Sequence, residues 1–121
     1  MIGYVMLGTN DLARAVAFYE ALLAPLNVKR AFSNERTVSW TTGSGPMLAV
    51  DLPFDKKPAT AGNGTMIALA VDKPATVDAL HKTALELGGR DEGAPGERFK
   101  GFYAAYFRDL DGNKLCAFHM G

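Results

Sequence analysis

The side chains able to do chemistry in this chain are few and widely spaced. Cys116 is its one thiol, and His81 and His119, 38 positions apart, are its only imidazoles. A thiol becomes a nucleophile or a ligand only when a base or a positive charge lowers its pKa. In Lys114-Leu115-Cys116-Ala117-Phe118 a strand's period of two puts Lys114 and Phe118 on the face of Cys116, so Lys114 is the one activating cation in view. The other reading of Cys116 is a small buried hydrophobe. His81 sits in a helical stretch beside Lys82 and four residues before Leu85, the setting of a solvated or helix-edge residue. No two-histidine, one-carboxylate iron site is supported by this spacing. Arg36, Arg98 and Arg108 offer forked donors for an anionic ligand, or are solvated charges at strand ends. Phosphate loops, dinucleotide fingerprints, catalytic triads and nucleic-acid motifs are absent.

The elements that must position these residues centre on Phe102 to Phe118. An apolar, aromatic run, Phe102-Tyr103-Ala104-Ala105-Tyr106-Phe107-Arg108, leads into Asp111-Gly112 and then a second alternating run, which is a strong hairpin signal. Upstream, Ile2 to Leu7 reads as a strand, and Gly8-Thr9-Asn10-Asp11 supplies turn and cap for a helix from Leu12, with Pro25 near its end. Leu12, Ala15, Val16, Tyr19, Leu22, Leu23 and Leu26 form its apolar stripe. Val28 to Phe32, Thr37 to Thr41 and Pro46 to Leu52 read as strands.

The pattern then repeats. Residues 53 to 63 have linker composition, Thr65 to Val71 is a strand, Asp72-Lys73-Pro74 starts a helix, and Val77, Leu80, Ala84, Leu85 and Leu87 form its stripe before Gly88-Gly89. A shift of 62 positions lays Tyr4 on Met66, Leu7 on Leu69, Phe18 on Leu80 and Leu23 on Leu85. We expect an α+β fold of tandem β-α-β-β-β modules, the first over residues 1 to 52 and the second over 64 to 121. The segment from Gly93 to Gly101 reads as a lid or a plain connector.

The totals narrow the function class. The length of 121 residues suits one domain, and thirteen basic residues balance thirteen acidic ones. Neither nucleic acid nor an anionic membrane is indicated, so the expected partner is a small molecule or a second copy. One cysteine excludes an internal disulfide, and no secretory leader is visible, which suggests a cytoplasmic protein. No apolar run approaches the about 20 residues that cross a bilayer.

Asp109-Leu110-Asp111-Gly112-Asn113, Asn10-Asp11-Leu12 through Phe18-Tyr19, and Gly64-Thr65-Met66-Ile67-Ala68-Leu69, together with the repeat, resemble the vicinal-oxygen-chelate superfamily of glyoxalases, bleomycin-resistance proteins and extradiol dioxygenases. The resemblance implies an incomplete eight-stranded barrel with two outer helices, a ligand on its concave face, and commonly a homodimer. It also implies which way side chains point: Tyr4, Met6, Met66, Ala68 and Ala70 toward the ligand, and Val5, Leu7, Ile67, Leu69 and His119 toward the helices. Metal-dependent members hold an ion at four strand positions that fall here on Tyr4, Asp51 or a neighbour, Met66 and Cys116. Phenol, thioether, one thiol and one carboxylate make a poor set for a divalent ion, so no metal and no other cofactor is expected. The expected function is a metal-free small-molecule binder with an apolar, aromatic-lined cavity contributed by Tyr4, Trp40, Asp51, Met66, Phe102 and Cys116. The alternatives are a glyoxalase-like lyase or isomerase of the lactoylglutathione lyase type, in which Asp51 moves a proton and Tyr4 or an arginine stabilises charge, and, ranked third, a dioxygenase.

Overall fold

The computed structural model describes all 121 residues, which divide into two compact units, Met1–Thr60 and Ala61–Gly121. No helix is long and apolar enough to cross a membrane. The eight strands make two four-stranded sheets, one per unit, and neither closes into a barrel.

In the first unit the order is β1 (Tyr4–Gly8), α1 (Leu12–Leu23), a single 3-10 turn (Ala24–Leu26), β2 (Lys29–Ser33), β3 (Thr37–Thr41) and β4 (Met47–Asp51). Helix α1 starts where the Asp11 carboxylate accepts the Arg14 N–H at 3.1 Å, satisfying one of the free donors of its first turn. It ends through Pro25 and Asn27, whose φ of 55° is left-handed. The sheet order is β1-β4-β3-β2, with β1 parallel to β4 and the remaining pairs antiparallel. Ala15, Phe18, Tyr19, Leu22 and Leu23 of α1 are buried together with Leu7, Val38, Trp40, Leu48 and Val50 of the sheet. Each large apolar side chain contributes about 1.5–3 kcal/mol by leaving water. Phe18 joins the expected stripe, while Leu12, Val16 and Leu26 are only half-buried at its margin.

The second unit repeats the plan with β5 (Ile67–Ala70), α2 (Pro74–Glu86), β6 (Arg90–Phe99), β7 (Phe102–Arg108) and β8 (Lys114–Met120), in the sheet order β5-β8-β7-β6. Pro74 occupies the first turn of α2, where its missing N–H costs nothing. Gly88 (φ 99°) and Gly89 close the helix by donating to the Leu85 and Ala84 carbonyls. The buried stripe of α2 is Thr76, Val77, Leu80, His81 and Ala84, whereas Leu85 and Leu87 are exposed. The expected stripe drifted off the packed side there. Between β7 and β8 the Asp109 carboxylate accepts from the Asp111 and Asn113 N–H groups and from Asn113 Nδ2, and Gly112 takes the left-handed φ of 87° that the turn requires.

The Gly93 to Gly101 stretch is neither lid nor connector through most of its length: residues up to Phe99 belong to the ten-residue strand β6. Its position at the sheet edge explains this, because Pro95 there removes no ladder donor from a central strand. Register shifts at Asp91/Gly93, Gly93/Gly96 and Glu97/Phe99 absorb the irregular residues.

Candidate ligand-binding faces

Each helix covers one face of its sheet, and strand alternation leaves the other face to Tyr4, Met6 and Phe32 in the first unit and to Met66, Ala68, Tyr106, Cys116 and Phe118 in the second. Tyr4 is more than half exposed and meets Phe32 edge-on at 6.5 Å between ring centroids. Between β1 and β2 lie β4 and β3, where the small Ala49 and Ser39 are fully buried. Met66, just before β5, is exposed. Phe102 stacks on Phe99 (4.8 Å, 3°) and on Phe118 (5.4 Å, 27°), giving a row of three rings at one end of the second sheet.

Cys116 lies in the middle of that sheet, opposite Ala68 on β5 and Tyr106 on β7. It is buried, and burial pushes its pKa up, while a hydrogen bond with the Tyr106 hydroxyl and the charges of Arg98 and Lys114 oppose this less strongly. The thiol therefore stays protonated near neutrality and behaves as a packed hydrophobe with a polar tip.

Trp40 is a correction. It packs on Tyr19 of α1 (5.9 Å between centroids), and its indole N–H donates to Glu20 at 3.2 Å. It therefore lines no ligand face. The phase of β3 is set by its partner Leu48, which also faces α1. Glu20 is shared with Arg30 at 2.6 Å, and the two hydrogen bonds hold its carboxyl below the ordinary range.

Asp51 ends β4 and is buried, with Arg36 Nη1 at 3.7 Å from its carboxylate. Burial pushes its pKa up more than Arg36 pulls it down, which disfavours the ion and makes the carboxyl a better proton acceptor once ionised. Arg36 also lies over the Phe54 ring at 5.1 Å. It lines, with Lys56 and Lys57, an open cleft of about 670 Å³, whose wall is pinned by Asn10 exchanging two hydrogen bonds with the Ala59 backbone. The sequence carried no signal for this cleft, because its cations come from two loops far apart in the chain, Arg36 from one and Lys56 and Lys57 from the other.

Nowhere do three or more His, Cys, Asp or Glu side chains gather. The positions that the resemblance assigns to a metal fall two in each unit, a phenol and a buried acid in one, a thioether and a protonated thiol in the other. Such donors do not fit a divalent ion. Both imidazoles lie on helix-covered faces: His119 Nδ1 is 3.0 Å from the Val71 carbonyl, and His81 Nε2 is 2.9 Å from Asp91, edge-on to Phe107. His81 is thus buried and paired rather than solvated. Its partner lies on the next element, beyond what helical spacing reveals. Asp91 in turn is held below the usual carboxylate range, chiefly by that hydrogen bond.

Comparison with known proteins agrees with this geometry. The chain is similar to a glyoxalase/bleomycin resistance protein from Albidiferax ferrireducens T118, at 37% identity and a TM-score of 0.93 over 100% of this chain and 99% of that one. A glyoxalase/bleomycin resistance protein/dioxygenase family enzyme from Burkholderia phytofirmans PsJN shares the fold at 20% identity (TM-score 0.80, 98% of each chain). So does a lactoylglutathione lyase from Agrobacterium tumefaciens at 22% identity (TM-score 0.72, 98% of this chain and 92% of that one). No functionally curated protein matches the sequence. The family profile for the glyoxalase/bleomycin resistance protein/dioxygenase superfamily matches residues 1–117, and the chain belongs to that superfamily.

Proposed function

We propose that this chain is a metal-free small-molecule-binding protein that takes its ligand on a sheet face its helix leaves open. One observation carries the proposal: the open faces expose large apolar side chains, with Tyr4 at 55%, Met6 at 43%, Phe32 at 41% and Met66 at 41%. The first three stand in one unit, where Tyr4 meets Phe32, and Met66 in the other; large apolar side chains exposed on a sheet face mark a binding surface, since soluble proteins seldom leave them unused. The test pairs elemental analysis with binding of phenylnaphthylamine, a neutral apolar fluorophore. Saturable binding that Met66→Glu weakens, in protein free of stoichiometric metal, is expected. One nickel, zinc or iron per chain would overturn it. The protein is further taken to be a cytoplasmic homodimer, for which sedimentation should return twice the 13.0 kDa chain mass.

Asp51 favours a second possibility, a glyoxalase-like lyase. A buried carboxyl with a raised pKa beside Arg36 pairs a base with a cation able to stabilise an enediolate. Turnover of methylglyoxal hemithioacetal that Asp51→Asn abolishes would establish this alternative, and absence of turnover would leave binding alone.

A further inference from the structure

Two of the three arginines flagged in the sequence are already engaged. Arg108 binds Glu92 at 2.6 Å and the Gly112 carbonyl, and Arg36 faces Asp51. Arg98 has no carboxylate partner. Its guanidinium lies back along β6, donating to the Gly96 carbonyl at 3.0 Å and the Ala94 carbonyl at 2.7 Å, over the Tyr106 ring at 5.3 Å. The space it occupies exists because β6 has no side chain at two positions: a Cβ on Gly93 would come within 3.2 Å of the guanidinium and one on Gly96 within 3.0 Å. Lys114 Nζ lies 5.6 Å from the same ring and forms no ion pair. Glu92, an acid that feels the charge of Lys114, is occupied by Arg108. Around the Tyr106 phenol stand two cations without a carboxylate partner and a neutral thiol.

We propose that Arg98 and Lys114, held against Tyr106 on the open face of the second sheet, select an anionic ligand, one carrying a carboxylate, sulfonate or phosphonate beside an apolar body. The inference rests on the binding function proposed above and adds the charge of the ligand. Of the five N–H donors of a guanidinium, Arg98 uses two on backbone carbonyls, leaving three for an incoming anion. Because those carbonyls already fix the fork, little side-chain entropy remains to be lost on binding. The Phe99, Phe102 and Phe118 rings on the same sheet supply the surface for the apolar part.

The test compares two fluorophores of similar shape, anilinonaphthalene sulfonate and neutral phenylnaphthylamine, on the full chain. The sulfonate dye should bind more tightly, lose affinity with added salt, and weaken about tenfold in Arg98→Gln, equivalent to ~1.4 kcal/mol, and a few-fold in Lys114→Gln. Arg98→Lys should restore part of the loss. Gly96→Ala keeps every charge but pushes the guanidinium out of its place, and should also weaken the sulfonate dye. Phenylnaphthylamine should bind all four variants alike, which also reports that they are folded. If both dyes bind equally and Arg98→Gln alters neither, charge selection is wrong while binding stands. If neither dye binds the unaltered protein, both proposals fall.

Discussion

Replacing Leu80 by alanine tests which face of the second sheet is covered. Leu80 is 0% exposed on α2, as buried as Val77 and Ala84 of the helix and Phe107 and Leu115 of the sheet, whereas Leu85, on the same helix, is 37% exposed. Leu80→Ala removes buried methyl and methylene groups and leaves a cavity, which costs about 3 kcal/mol within the usual 2–5 range. Leu85→Ala removes partly hydrated atoms and gains a little helix propensity, so its cost stays below about 1 kcal/mol. For a chain of this length the larger loss lowers Tm by about 12 °C, at ~4 °C per kcal/mol. Thermal melts by circular dichroism, paired with urea titrations, read both variants directly. If Leu85→Ala destabilised as much as Leu80→Ala, α2 would be packed through a different side. The assignment of the opposite sheet face to ligand would then lose its basis.

Three further outcomes follow from the described geometry. Cys116, 1% exposed with its pKa pushed up by burial, should react with iodoacetamide far more slowly than a free thiol near neutrality. Rapid labelling of native protein there would mean an accessible thiolate instead. Asp51 has a folded-state pKa above its unfolded one, so its protonated form favours folding and that contribution is lost as pH rises through the folded pKa. Unfolding titrations should therefore show the stability of the unaltered protein falling relative to Asp51→Asn from acid toward neutral pH, and the opposite trend would refute the desolvation account. Asp109→Ala removes the acceptor for two backbone N–H groups and the Asn113 amide in a buried turn. It should cost roughly 2–4 kcal/mol in urea unfolding, and a cost under ~0.5 kcal/mol would show that the turn holds without it.

Much of the fold was legible because its signals are local. The Asp-Gly turn, the Thr37–Thr41 and Phe102–Arg108 strands, and the alternation that sends Leu7 to the helix and Tyr4 away from it all depend on residues near one another in sequence. Trp40 was misplaced against a readable signal: Thr37-Val38-Ser39-Trp40-Thr41 alternates polar and apolar residues, which puts Trp40 with Val38 on the apolar side that α1 covers, away from the ligand face. Strand β6 was hidden by its glycines and Pro95, which read as loop unless the chain is known to lie at a sheet edge. The pairing of His81 with Asp91 and the seating of Arg98 both need a neighbour from another element or a bulged register. Spacing along one element carries no information about either.

The parallel pairing of the first and last strand in each unit bears on how the protein is made. Tyr4 meets Met47 and Ile67 meets Leu115, so each sheet must hold its opening strand without that neighbour while the intervening helix and two strands are synthesised. Such sequence-distant closure is slow compared with helix or hairpin formation. A ribosome stalled before Lys114 would present β5 as a bare edge, open to capture by other nascent chains. Termination before Lys114, which removes β8, is therefore expected to yield aggregate rather than a shortened folded protein.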